Sequence, residues 1–178
     1  MGRINLTAFT LGLALVATGA SLPGRFDGTV SAQALNPCAL LTTDEVDSLA
    51  PNTNVAAGIA SSVPAYGYMT CRYTWGTGVG RFNLDIAVAD PSRMFAGVNP
   101  DQVKQRLLAS VKAETSDAVI SEIGEAAVFR PDSVADATAT ALVKGRILQV
   151  NLDGGVAREK KDAAIALLKS AVSRLQQS

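Results

Sequence analysis

Apolar and polar residues alternate along two adjacent segments, and this alternation is typical of half-buried β-strands. In the first segment, Met69, Cys71, Tyr73 and Trp75 alternate with threonine and arginine. In the second segment, residues 82–88, the even-numbered residues are apolar and the odd-numbered residues are polar or small. A glycine-rich stretch separates the two segments, so together they predict an antiparallel hairpin.

A second hairpin is predicted further along the chain, where residues 139–144 and 147–152 flank a Lys-Gly-Arg turn. Its second strand places Leu148 and two further apolar side chains inward, and Gln149 and Asn151 outward. Short apolar runs at 118–120 and 126–130 predict two additional strands. Residues 52–67 are rich in alanine, serine and glycine, and predict a loop with one weak strand near Val55.

Three helices are expected from their start signals and apolar spacing. Thr42 and Glu45 have the spacing of a capping box, which marks the start of a short helix. Asn99, Pro100 and Gln102 give a second helix start. The last helix is predicted from about Val156 to Leu175, because its apolar residues recur on one face at the helical period.

This order of elements predicts an α+β fold. We expect an antiparallel sheet of about five to six strands, arranged in hairpins and packed against about three helices. The chain has 178 residues, of which 48% are hydrophobic and 18% are charged. This length and composition suit one domain with a hydrophobic core. We expect that single α+β domain to span residues 35–178.

Residues 1–34 have the pattern of a secretory signal peptide, with an apolar core followed by small residues at a cleavage motif. Cleavage is expected before Leu35, with alternatives before Gln33 or before Ser21. The alternative is an uncleaved leader that anchors the protein, and this is the sole membrane association predicted. The expected location is the periplasm or the outside of the cell.

Cys38 and Cys71 are the only cysteines, and we expect them to form a disulfide because export places them in an oxidising compartment. The alternative of a redox or metal pair is weaker, since the sequence has no histidine and no C-x-x-C motif. Lipid attachment at Cys38 is also disfavoured, because Pro37 stands where a small residue is expected.

The composition narrows the classes of function. Without histidine, no Ser–His or Cys–His nucleophile and no imidazole metal site can exist in this chain. Lys plus Arg and Asp plus Glu number 16 each, so there is no basic footprint for nucleic acid. We therefore predict no catalytic residues, no cofactor, no metal and no nucleic-acid partner.

Four short motifs, in this order, resemble the landmarks of a known family. They begin at Cys38 (CALLTTDEV), Cys71 (CRYTW), Ile123 (IGEAA) and Leu142 (LVKGRILQV). The family comprises small secreted bacterial domains of unknown function, and many of its actinobacterial members are lipoproteins. The resemblance implies an exported protein with a Cys–Cys bridge and an α+β fold. It implies no activity and no functional residues, and the missing lipobox means that no lipid anchor is transferred.

Polar residues on the outward sides of the two hairpins are the candidate contact residues. If the hairpins are neighbours in the sheet, these side chains form one polar surface, and two tyrosines in the preceding loop add exposed contacts. The candidates are Arg81, Asn83, Asp85, Gln149, Asn151, Tyr66 and Tyr68.

The sequence thus favours an exported, non-catalytic module that binds an unknown protein partner or a small molecule. Two alternatives stay open: a structural subunit of an envelope assembly, and a histidine-free hydrolase that uses carboxylates. The hydrolase hypothesis requires a second carboxylate near Asp85.

Overall fold

Seven antiparallel strands form one sheet in the computed structural model of the protein. The structure describes residues 35–49, 54–63, 65, 67–76, 81–111, 118–154 and 157–178. The strands are β1 (Ile59–Val63), β2 (Tyr68–Trp75), β3 (Phe82–Ala89), β4 (Ala118–Ile120), β5 (Ala126–Pro131), β6 (Ala137–Val143) and β7 (Arg146–Asp153). Their order across the sheet is β1-β2-β3-β7-β6-β5-β4, so the two predicted hairpins lie side by side.

Four α-helices accompany the sheet in the described residues, together with 3₁₀ turns at Pro37–Ala39 and Ala157–Lys160. The helices are α1 (Thr43–Asp47), α2 (Pro91–Met94), α3 (Pro100–Ala109) and α4 (Lys161–Gln177). The α+β class and the antiparallel sheet predicted from the sequence are confirmed.

The prediction of five to six strands is wrong, because the described residues already form a sheet of seven. The additional strand is β1, which lies in the segment that the sequence predicted as a loop. All five of its residues are exposed, so it lacks the apolar–polar alternation by which strands are recognised. A weak strand was predicted near Val55, but the described residues 54–58 form no strand. Beside Val55, Ala56 N donates one backbone hydrogen bond to Thr74 O (2.9 Å).

The helix count also differs from the prediction. The segment after β3 was expected to be a loop, yet Asp90 accepts a hydrogen bond from Ser92 N (3.0 Å) and starts the one-turn helix α2. The last helix was expected from Val156, which lies outside the described residues, and α4 proper begins at Lys161.

The inner face of the sheet carries the core. Leu84 stands opposite Tyr73 on β2 and Leu152 on β7, and all three are buried. Helix α4 packs across β6 and β7, and the inward side chains of β6 are those of Ala137, Ala139, Ala141 and Val143. Because these alanines are short, the buried Leu168 and the rest of the apolar stripe of α4 can approach the strand closely.

The Cys38–Cys71 disulfide is present and joins the N-terminal 3₁₀ turn to β2, with a Cα–Cα distance of 5.1 Å. The buried phenol of Tyr73 adds to this junction by donating to Leu41 O (2.7 Å). Gly58 leaves space for the Tyr73 ring, since a Cβ at position 58 would lie 2.8 Å from Tyr73 Cζ. Helix α1 is therefore fixed to the sheet at its N-terminal side.

Glu45 joins α1 to the C-terminal helix. Arg174 Nη1 and Nη2 donate to its carboxylate at 2.7 and 2.9 Å, and Arg174 Nη1 also donates to Leu40 O (2.8 Å). Thr42 N donates to the same carboxylate (2.7 Å), which completes the predicted capping box. Burial alone would raise the pKa of Glu45, but the hydrogen bonds from Arg174 and Thr42 outweigh it and lower the pKa to about 2.

Glu45→Gln should therefore remove a pH-dependent part of the stability. Because the pKa of Glu45 is lower in the folded state, its contribution is complete above the unfolded pKa of about 4.3 and is lost as the pH falls toward about 2. The free energy of unfolding of wild type should exceed that of Glu45→Gln by about 1–2 kcal/mol at pH 7, and this difference should vanish only below about pH 2. Urea unfolding of both proteins across this range measures it, and a pH-independent difference would refute the role of the charge.

Candidate binding surface

The outer face of the sheet is only partly covered. Helix α3 packs over the β5 side, with Val103 buried beneath it, whereas the outer side chains of β1, β2, β3 and β7 form an open concavity of about 590 Å³. We call this concavity the polar face. It is lined by Ile59, Ser61, Tyr68, Thr70, Arg72, Thr74, Arg81, Asp85, Ala87, Gln149 and Asn151.

Strand register explains why these side chains meet. Arg72 on β2 pairs with Asp85 on β3, which pairs with Asn151 on β7, so one row crosses three strands. The next row, two residues along, includes Thr70 and Gln149. Residues two apart on a strand share a face, and this periodicity puts every member on the same side.

An ion pair lies in the middle of the polar face. Arg72 Nε donates to Asp85 Oδ1 (2.7 Å) and Arg72 Nη2 to Asp85 Oδ2 (2.8 Å). The hydrogen bonds from Arg72 to Asp85 raise the pKa of the guanidinium, which is charged at any physiological pH. Two of the five N–H groups of a guanidinium are used in this pair, so three remain for a ligand as far as the described residues show.

The ion pair positions side chains more than it stabilises the fold. The Arg72 side chain is 59% exposed, and exposed pairs contribute about 0–1 kcal/mol. On the next strand, Asn151 Nδ2 donates to Thr138 Oγ1 (2.8 Å), which holds the amide at the edge of the concavity. The polar face thus presents donors and acceptors whose orientations are already set by neighbouring strands.

Four of the predicted contact residues line the polar face together: Arg81, Asp85, Gln149 and Asn151. Tyr68 lines it as well, although it lies at the start of β2 rather than in a loop. Asn83 is on the same side of β3 but beyond the concavity, where it donates to Asp153 Oδ2 (3.3 Å). Tyr66 lies outside the described residues.

The prediction missed the contribution of β1 and β2. Thr70, Arg72 and Thr74 occupy the outward positions of the alternation that identified β2, so the signal for them was present in the sequence. Ser61 and Ile59 carried no such signal, because their strand was not recognised.

The chemistry of the polar face is that of hydrogen bonding. Asp85 is the sole carboxylate among its lining residues, and both of its oxygens accept from Arg72. Within the described ranges there is no cluster of three or more Cys, Asp or Glu side chains that could hold a metal ion. No helix of the described chain is both long and apolar enough to cross a membrane.

A smaller, more apolar cleft of about 260 Å³ adjoins the polar face beneath α2 and α3. Phe95, Leu107 and Ile147 line it, and Gln149 lines both concavities. A ligand on the polar face could therefore place an apolar group under the edge of α3.

Comparison with known proteins gives no assignment, because no family model, no curated protein and no solved structure matches the chain.

Proposed function

We propose that the protein is an exported, non-catalytic module that binds a polar ligand, either a small molecule or a polar segment of a protein partner, on its polar face. The observation that carries the proposal is the row Arg72–Asp85–Asn151, in which charged and amide groups from three strands point into one open concavity. Binding sites typically place a few oriented polar groups in a concave surface.

The balance of charge on the polar face indicates the kind of ligand. The charged residues described in its lining are Arg72, Arg81 and Asp85, and the other polar groups there are hydroxyls and amides. Such a surface offers many directional hydrogen bonds and little net field, which suits a ligand rich in hydroxyl, amide or carboxylate groups. Tyr68, at one end, adds a flat aromatic surface.

The disulfide supports the exported location, since such bonds form and persist in oxidising compartments. Removal of the leader and release into the periplasm or the medium belong to the proposal. Membership of the family of secreted bacterial domains that the four motifs resemble is likewise part of the proposal.

The carboxylate-hydrolase alternative receives less support. It requires an acid and a base that converge on one cleft, whereas Asp85 is the one acid that the described residues place on the polar face, and it is engaged by Arg72. The envelope-subunit alternative predicts a contiguous exposed apolar patch or a stable homo-oligomer, and the exposed large apolar residues in the described chain are few.

A capture experiment tests the proposed function. Immobilised wild type, incubated with an envelope extract, should retain a protein or small molecule that mass spectrometry identifies. The double variant Arg72→Ala/Gln149→Ala should lose it, because truncating polar anchors commonly weakens binding by about 10-fold or more. Lys169→Ala, an exposed change on α4, is the matched control and should retain it. Capture of nothing, or equal capture by all three proteins, would refute the proposal.

A further inference from the structure

Strand β1 is an unprotected edge of the sheet. Among the described residues, β2 pairs with one side of β1 and no strand pairs with the other. Its sequence, Ile-Ala-Ser-Ser-Val, contains no charge and no proline, which are two of the devices by which proteins block edge strands. Ile59 is 71% exposed and Val63 is 43% exposed, so apolar surface accompanies the free backbone groups.

The strand is also complementary to itself. In an antiparallel pairing centred on Ser61, Ile59 stands opposite Val63 of the partner subunit, and Ser61 stands opposite its own copy. Ile59 and Val63 project to the same side of the sheet, because they pair with Arg72 and Tyr68 of β2. Each apolar residue therefore meets an apolar residue, and both contacts form on one face.

Charge is no obstacle to this pairing. A two-fold axis sets two copies of the same short strand side by side, so any charge on it would lie close to a like charge on the other copy. Residues 54–63 carry no charge at all. A symmetric contact here costs no electrostatic repulsion between the two strands.

We propose that β1 pairs with β1 of a second copy of this chain, antiparallel and with the two-fold axis at Ser61. The two sheets then continue into one sheet of fourteen strands, since each copy contributes seven. Ile59 and Ser61 line the polar face, so the pairing brings the two polar faces together along the shared edge. The dimer offers a longer binding surface than either copy alone.

The other sheet edge fits this role less well. Strand β4 has three residues, against five in β1. Pairing β1 with β4 of another copy would also be heterologous, and such a contact propagates into open chains unless its rotation closes a ring. The β1–β1 contact closes with two copies.

A five-residue strand gives a small interface, so we expect a weak dimer with a dissociation constant on the order of 100 µM. Sedimentation equilibrium of the purified protein from about 10 µM to about 1 mM covers this range.

Ser61→Lys, which sets two ammonium groups opposite each other on an exposed strand, should leave a monomer throughout. Val119→Lys, an exposed change on β4, should dimerise like wild type. A wild type that stays monomeric at the highest concentration overturns the proposal, as does dimerisation that Ser61→Lys does not affect.

Register is tested by cross-linking. Ser61→Cys places two thiols opposite each other at the axis, and a short thiol cross-linker should join the subunits. Ser62→Cys is one residue away and also exposed, but it faces Ala60 of the partner subunit and should cross-link at least about 10-fold more slowly. Equal cross-linking rates for the two cysteine variants would show that the strands do not pair in this register. This test does not depend on whether Ser61→Lys folds.

Discussion

Replacing Cys38 and Cys71 together by alanine will lower the free energy of unfolding by about 3–4 kcal/mol, because the cross-link closes a loop over a separation of 33 residues. The unfolded chain gains the entropy that the loop had restricted. The native state also loses the covalent tie between the 3₁₀ turn and β2, where Cys71 is fully buried. The N-terminal segment is then held by the hydrogen bonds of Tyr73 and Arg174 and by apolar packing.

Urea unfolding of wild type and of the double alanine variant, both without reductant, measures this loss. Reduction of wild type should reproduce most of it, whereas the reductant should leave the variant unchanged. If free-thiol labelling under denaturing, non-reducing conditions modifies both cysteines of wild type, the bridge is absent from the protein. A midpoint that the double substitution does not move would equally contradict the account.

Leu168→Ala will cost about 3 kcal/mol, within the range of about 2–5 kcal/mol that buried leucines show. Leu168 is fully buried in α4, which packs across β6 and β7. The alanines of β6 cannot fill the space that the lost side chain leaves, because their own side chains end at Cβ. The cavity should therefore persist, and the loss should lie near the middle of that range rather than at its lower end.

Lys169→Ala is the control for this second change, since the neighbouring side chain is exposed on the same helix. It should shift the free energy of unfolding by less than about 0.5 kcal/mol. A Leu168→Ala protein as stable as Lys169→Ala would mean that α4 does not pack on the sheet as described.

The sequence predicted the parts of the fold in which one face is buried. The alternation in β2 and β3, and in β7, follows directly from burial of Leu84, Tyr73 and Leu152 on one side. The capping box of Thr42 and Glu45 is equally local and was predicted correctly. Strand β1 could not be predicted this way, because it is exposed on both faces and its formation depends on pairing with β2.

About half of the residues that line the polar face were predicted from the sequence. The outward positions of the hairpins indicated Asp85, Gln149 and Asn151, and strand order then brought them together. The sequence could not show that β3 and β7 are neighbours, because that adjacency is non-local. It also could not show that Arg72 pairs with Asp85, which depends on the register of β2 against β3.

The binding constant of the captured component tests the central claim most directly. Titration calorimetry should compare wild type, Arg72→Ala/Gln149→Ala and Lys169→Ala, all verified as folded. The account predicts at least about 10-fold weaker binding by the double variant and an unchanged constant for Lys169→Ala. Equal dissociation constants for all three proteins would show that the ligand binds elsewhere and would contradict the assignment of the polar face.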